Sequence, residues 1–194
     1  MTAIDELVDL VRTTEQASSA AVVGIGRRGR GTGFVVAAGK VVTNAHNLRD
    51  QTTEVHFADG RAVQATVAGS DLDGDLVVLD VDTGDVAPLP WANTSNASDT
   101  SDASDDAVAA GDVVVALTAG RHRRRAAWGQ VTATEAGFRG PRGRPIGGAL
   151  EHTTPCGAGS SGAPVLDRSG RVVAKNRRDV ARAFRMEPSK IRDR

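Results

Sequence analysis

The chain has 194 residues, 40% of them apolar, enough to bury a sizeable core in one ordinary domain or two small barrels. Its 24 basic and 24 acidic residues cancel, so no global field favours nucleic acid, an anionic membrane surface or an acidic substrate. The single cysteine, Cys156, excludes an intrachain disulfide, and no run of about eighteen apolar residues offers a transmembrane helix.

From the N-terminus, Ile4, Leu7, Val8, Leu10 and Val11 recur among charged residues at a spacing that predicts an amphipathic helix within residues 1–18. Acids stand where an export signal carries basic residues, and no unbroken apolar core follows them, so the expected location is cytoplasmic. The periodicity then changes. Short runs rich in Val, Ala and Thr, punctuated by glycine or charged turns, predict strands at 20–26, 32–38, 40–44, 53–58, 61–69 and 75–81. Residues 93–106, NTSNASDTSDASDD, hold no large apolar side chain and cannot offset their ordering entropy, so 93–107 reads as a flexible interdomain loop. Asn93 and Asn96 head glycosylation triplets there, but without an export route the plain loop is the better reading. Strand-like runs resume at 112–118, 126–135, 146–152, 163–167 and 170–174. Two consecutive strand groups with a linker between them predict an all-β protein of two small antiparallel barrels, over 19–92 and 108–174. The Arg-rich stretch 175–194 shows no alternating strand and reads as an atypical tail: either it covers the second barrel with Val180, Phe184 and Ile191, or that barrel is left incomplete.

The chemistry concentrates in GAGSSGAPVL, residues 157–166. Glycine and serine clusters are ordinary turn material. A nucleophilic serine, however, needs a base for its proton and backbone N–H groups aimed at the oxygen that becomes charged, and flanking glycines let such groups converge. Of the four histidines, His46 ends an apolar strand in a small-residue turn, so its ring would project from a rigid edge. His56, between inward-pointing Val55 and Phe57, reads as solvent-facing, and His122, inside RHRRR, as part of a hairpin tip. His152 lies in a strand nine residues before Ser161, where position alone does not exclude it although a strand-face role fits better. Asp75, opening DLVVLDV after an acidic turn, is placed to point a partly buried carboxylate at an imidazole. The same acids begin like a calcium loop, but Leu76 occupies the position where such a loop requires glycine, so no metal is expected.

Together GTGFVVAAGKVVTNAHNL (31–48), GSDLDGDLVVLDV (69–81) and EHTTPCGAGSSGAPVLDRSGRVV (151–173) resemble the trypsin-like serine peptidases, in particular the HtrA-like bacterial branch. The resemblance covers about residues 20–174 and keeps the family's His, Asp, Ser order. It implies two six-stranded antiparallel barrels with the site in the cleft between them. Position by position it makes His46 the general base, Asp75 the orienting acid, Ser161 the nucleophile, and the N–H groups of Gly159 and Ser161 the oxyanion hole. It implies a polypeptide substrate and no cofactor.

Departures from the family pattern also carry information. Ser160 replaces the aspartate that pairs with a new N-terminus in zymogen-activated relatives, and Pro155 stands where enzymes cutting after arginine or lysine carry aspartate, so neither that activation nor that preference is expected. The family's final strand is not expected in 175–194, a stretch that leaves no room for the peptide-binding domain many HtrA-like proteins carry. Two further readings compete with a serine endopeptidase: a catalytically silent barrel that binds peptides or acts as a scaffold, and a nucleic-acid binder using RHRRR and the tail arginines. The neutral total charge and the absence of aromatic platforms argue against nucleic acid. The sequence is silent on oligomeric state.

Overall fold

The computed structural model describes residues 2–27, 29–72, 74–92, 108–120, 123–139, 145–177 and 182–184; the expected interdomain loop, His122, Asp73, Val180 and Ile191 lie outside them. Helix α1, Ala3–Ser18, starts at a capping box in which Thr2 and Asp5 exchange side-chain and backbone hydrogen bonds, satisfying donors that a helix start leaves open. Its inward stripe is not the one that its largest apolar residues mark. Ile4 and Val8 stay exposed, while Thr14 and Ser18 are buried and Val11 packs against the core. Among the described residues, no helix is long and apolar enough to cross a membrane.

Six strands follow: β1 (Val22–Ile25), β2 (Gly31–Ala37), β3 (Lys40–Thr43), β4 (Thr52–His56), β5 (Ala62–Asp71) and β6 (Leu76–Asp80). All pair antiparallel and close in the order β1-β2-β3-β6-β5-β4. The second group is β7 (Val113–Ala119), β8 (Arg124–Arg139), β9 (Pro145–His152), β10 (Pro164–Leu166), β11 (Val172–Arg177) and β12 (Arg182–Phe184), a curled antiparallel sheet whose pairing returns on itself as β10-β11-β12-β9-β8-β7.

The strandless tail expected from the sequence is corrected here. Lys175–Arg177 extend β11, and Arg182–Phe184 form a strand that pairs with β11 at Lys175↔Phe184 and with β9 at Ala183↔Leu150. Antiparallel pairing is made by backbone groups, so Arg182–Phe184 can fill the gap without the apolar alternation that marks a half-buried strand in sequence.

The strand β7 explains how the two groups join. Val115, Leu117 and Ala119 belong to the large core that includes Phe34, Val41 and Leu79 of the first barrel. Val114 and Ala116, on the opposite face, pack with Val131, Leu150 and Val165 inside the second. Successive side chains of a strand point to opposite faces, so a strand lying between two cores must be apolar on both. The RHRRR cluster lies at the turn of the β7–β8 hairpin, where Ala119 pairs with Arg124, and two of its arginines also hold backbone carbonyls, one of them across the seam. Arg124 Nη1 donates to the carbonyls of Ser19 and Val22, and Arg125 Nη2 donates to that of Ala158. His56 is not solvent-facing: its side chain is only 11% exposed, because its cross-strand neighbours Gly24 and Ala62 leave the ring room to lie close to the sheet.

Candidate active site

His46 lies in a single 3-10 turn, Ala45–Asn47, immediately after β3. Asp75 stands just before β6, the partner of β3, so the β3–β6 pairing brings the two together. Asp75 is the one non-glycine residue with positive φ, +53°, among the described residues, a left-handed conformation that aspartate tolerates better than most residues. Its carboxylate then holds the histidine at two points. Oδ1 accepts the His46 backbone N–H at 3.0 Å, and Oδ2 accepts from Nδ1 at 2.7 Å. With Nδ1 the donor, Nε2 is the nitrogen left to take a proton. The acid is buried, its side chain 7% exposed, whereas the imidazole is 39% exposed. Burial pushes the Asp75 carboxyl up, but the two bonds from His46, and then the charges of Lys175 and His46, outweigh it and hold the group below its ordinary value.

The second half of the site is the turn between β9 and β10. Gly159 and Gly162 both have φ of +85°, and a Cβ on Gly162 would overlap the Thr32 carbonyl oxygen. That approach is close because β2 of the first barrel holds the turn. Thr32 N–H donates to Ser161 O at 2.8 Å, and Thr32 Oγ1 donates to Gly159 O at 2.7 Å while accepting Ala119 N–H at 3.0 Å. Asn47, next to His46, donates from Nδ2 to the same Ser161 carbonyl at 2.9 Å. A Cβ at Gly31 would overlap the Asn47 amide, so a side chain there would push Asn47 away from Ser161.

Two peptide planes in this turn are fixed from their carbonyl side. Arg125 holds Ala158 O at 2.5 Å, and Ala163 N–H holds Ser160 O at 3.0 Å. A trans peptide points its C=O and N–H in opposite directions, so these bonds direct the N–H groups of Gly159 and Ser161 the other way. Neither N–H donates to a protein acceptor among the described residues. They remain available for an incoming oxygen.

Of the sequence-predicted residues, His46 and Asp75 are hydrogen-bonded, and the His46 turn is joined to Ser161 through Asn47. The Ser161 hydroxyl is buried and has no hydrogen-bond partner among the described residues, so it does not bond to the imidazole in this structure. The neighbouring Ser160 Oγ donates to Gly157 O, inside the turn. His152 is buried at the end of β9, its Nδ1 accepting from Thr154 N–H, and Cys156 Sγ bonds to Thr154 O. Asp71 accepts from Gly74 N–H and shapes the turn before Asp75. Sequence reasoning missed Thr32, Asn47, Arg125 and Lys175; for the first two the signal was present in GTGF and TNAHN, where polar residues interrupt buried positions.

A cavity of about 590 Å³, lined by Gly26, Arg30, Asn47, Arg49 and Glu54 among others, includes none of His46, Asp75, Gly159 and Ser161. Asn47 thus borders the cavity and binds Ser161 at once.

Residues 31–174 match the family model of the trypsin-like peptidase domain. No curated protein matches the sequence. Among solved structures, the chain is similar to the crystal structure of Deg5, with 24% identity, a TM-score of 0.73, and coverage of 93% of this chain and 90% of that one. That likeness concerns the fold: paired antiparallel barrels with the candidate site at their seam. The family match runs from the first residue of β2 into β11 and takes in His46, Asp75 and Ser161. The chain therefore belongs to the trypsin-like peptidase domain family.

Proposed function

We propose that the protein is a serine endopeptidase, of the HtrA-like kind that the motifs resemble, acting through His46, Asp75 and Ser161. The observation that carries this reading is the two-point grip of Asp75 on His46, which fixes the ring with Nε2 as its free nitrogen, on a turn tied through Asn47 to Ser161. In the reaction Ser161 Oγ attacks a peptide carbonyl and passes its proton to His46 Nε2. The Gly159 and Ser161 N–H groups receive the charged oxygen, and each such donor is worth about 10²–10³ in turnover in a related hydrolase. His46 then returns the proton to the departing amine, and water repeats the sequence to release the acyl group. Asp75 stabilises the imidazolium and stays ionised throughout. The hydrogen bond between hydroxyl and imidazole forms as substrate enters, catalytic bonds often tightening only in the complex.

A second reading, a silent barrel that binds peptides, draws on the unpartnered Ser161 hydroxyl. A fluorophosphonate probe separates the two. Covalent labelling of wild type that Ser161→Ala abolishes supports the peptidase; folded wild-type protein that takes no label supports the silent barrel.

A further inference from the structure

Lys175 is a lysine with no place in the reaction just described, yet it is among the most buried side chains of the molecule, at 1% exposure. It sits on β11 of the second barrel, and its ammonium crosses the seam to the first. Nζ donates to the backbone carbonyl of Asp75 at 3.0 Å and to Asn44 Oδ1. Asn44 is itself fully buried and precedes the turn that carries His46. The Asp75 carbonyl also accepts Ala45 N–H at 3.2 Å, so both its carbonyl and its carboxylate are occupied by neighbours of the catalytic base. An ammonium in such a place needs compensating charge and acceptors, because desolvating it unpaired costs several kcal/mol. Among the described residues, the charged groups that face it include Asp75 and, beyond that carboxylate, His46. Its cross-strand neighbours, Pro164 and Phe184, carry none.

We propose that Lys175 is a positioning residue for the acid and base: by gripping the Asp75 carbonyl it holds that residue in its left-handed conformation, and by its charge it tunes the His46–Asp75 pair. This inference rests on the triad reading for its catalytic consequence, though its electrostatic part stands without it. The sign follows from Coulomb's law. A fixed cation beside the pair favours ionised Asp75, whose charge attracts an imidazolium, and repels that imidazolium directly; with Asp75 ionised already, the direct repulsion is the effect that a neutral variant removes. Low dielectric makes the influence resistant to salt. Because Lys175 shares its register with β12 through Lys175↔Phe184, closing the second barrel also sets the position of this charge.

The test uses Lys175→Met, which removes charge and donor, and Lys175→Gln, which keeps a donor but removes the charge. The His46 imidazole proton resonance, assigned by its loss in His46→Asn, is followed through a pH titration in each protein. Expected is a shift of the His46 titration to higher pH by about one unit in both neutral variants. The acid limb of kcat/KM moves with it, giving about a tenfold loss on the acid side. KM should stay unchanged, because Lys175 touches no substrate, and kcat should fall further in Met than in Gln. Titration and rate profiles that superimpose on wild type in either folded variant would overturn the proposal. So would failure of both variants to fold, which would make the lysine a purely structural strut. If wild type proves inactive, the titration shift still decides the electrostatic claim, and the two failures stay distinct.

Discussion

Replacing Thr32 by valine tests whether the first barrel holds the serine turn in shape. Valine matches threonine in volume and in β-branching, so it leaves no cavity and no propensity change. What it removes is one fully buried hydroxyl that donates to Gly159 O at 2.7 Å and accepts from Ala119 N–H at 3.0 Å. Two buried backbone groups then lose their partner, each at about 1–3 kcal/mol, which after partial relaxation gives a loss of roughly 2–4 kcal/mol. For a chain of this size that corresponds to a fall in Tm of roughly 4–16 °C. Thr32→Ser is the control, since it keeps the hydroxyl and loses one methyl, about 1 kcal/mol. Urea unfolding with an unchanged slope reads the stability, and the rate of fluorophosphonate labelling reads the turn. The released Gly159 carbonyl should slow labelling by up to about 10²–10³, the worth of one misplaced donor. A valine variant that unfolds within about 0.5 kcal/mol of wild type would refute the reasoning.

Three more perturbations probe other parts of the site. Asp75→Asn should fold yet lower turnover by up to about 10⁴, measured as kcat on an unfolded polypeptide substrate, because the imidazole is held in the wrong tautomer. The same variant tests linkage. The bonds from His46 hold the Asp75 carboxyl below its ordinary value in the folded protein, so its stabilising contribution is complete above that ordinary value and is lost as pH falls through the lowered one; the variant should lack that part of acid unfolding. Gly162→Ala places a Cβ against Thr32 O and within 2.6 Å of Thr43 Oγ1 at a φ of +85°, so a loss of at least about 1–3 kcal/mol in thermal unfolding and strongly reduced labelling are expected. Ending the chain after Arg177 removes β12 and bares the edges of β9 and β11; gel filtration should show association, and an unchanged Tm would contradict the closing role of that strand.

What the sequence disclosed depended on how local each signal was. The first barrel was legible strand by strand, because each run of Val and Ala is bounded by its own glycine or charged turn. The order of His46, Asp75 and Ser161 was legible for the same reason: each sits in a short motif with a strand beside it. Lys175 was assigned to the tail because a lysine ends an apolar run in any reading by periodicity. Its burial depends on Asn44 and Asp75, which lie 131 and 100 residues earlier. The helix misled in the opposite direction. Ile4 and Val8 mark an apolar stripe that the fold leaves in solvent, while Thr14 and Ser18, polar and unremarked, form the inward one. Arg124 and Arg125 stand at the β7–β8 hairpin turn as the charge cluster suggested, but nothing local shows that Arg124 reaches backbone carbonyls across the seam or that Arg125 reaches the Ala158 carbonyl.

The site belongs to neither barrel alone. The carbonyl of Ser161 receives both of its described donors from the first barrel, Thr32 N–H and Asn47 Nδ2, and Gly159 O receives a third from Thr32 Oγ1. In return the second barrel sends Lys175 to the Asp75 carbonyl, and Arg124 to the carbonyls that lead into β1. Each half therefore satisfies polar groups of the other that docking takes out of water, each bond worth about 0.5–1.5 kcal/mol net, since water takes its place when the halves part. Docking and assembly of the site are thus the same event. The Ser161 turn is held against the turn that carries His46 where Val115, Leu117 and Ala119 of β7 join the first barrel's core.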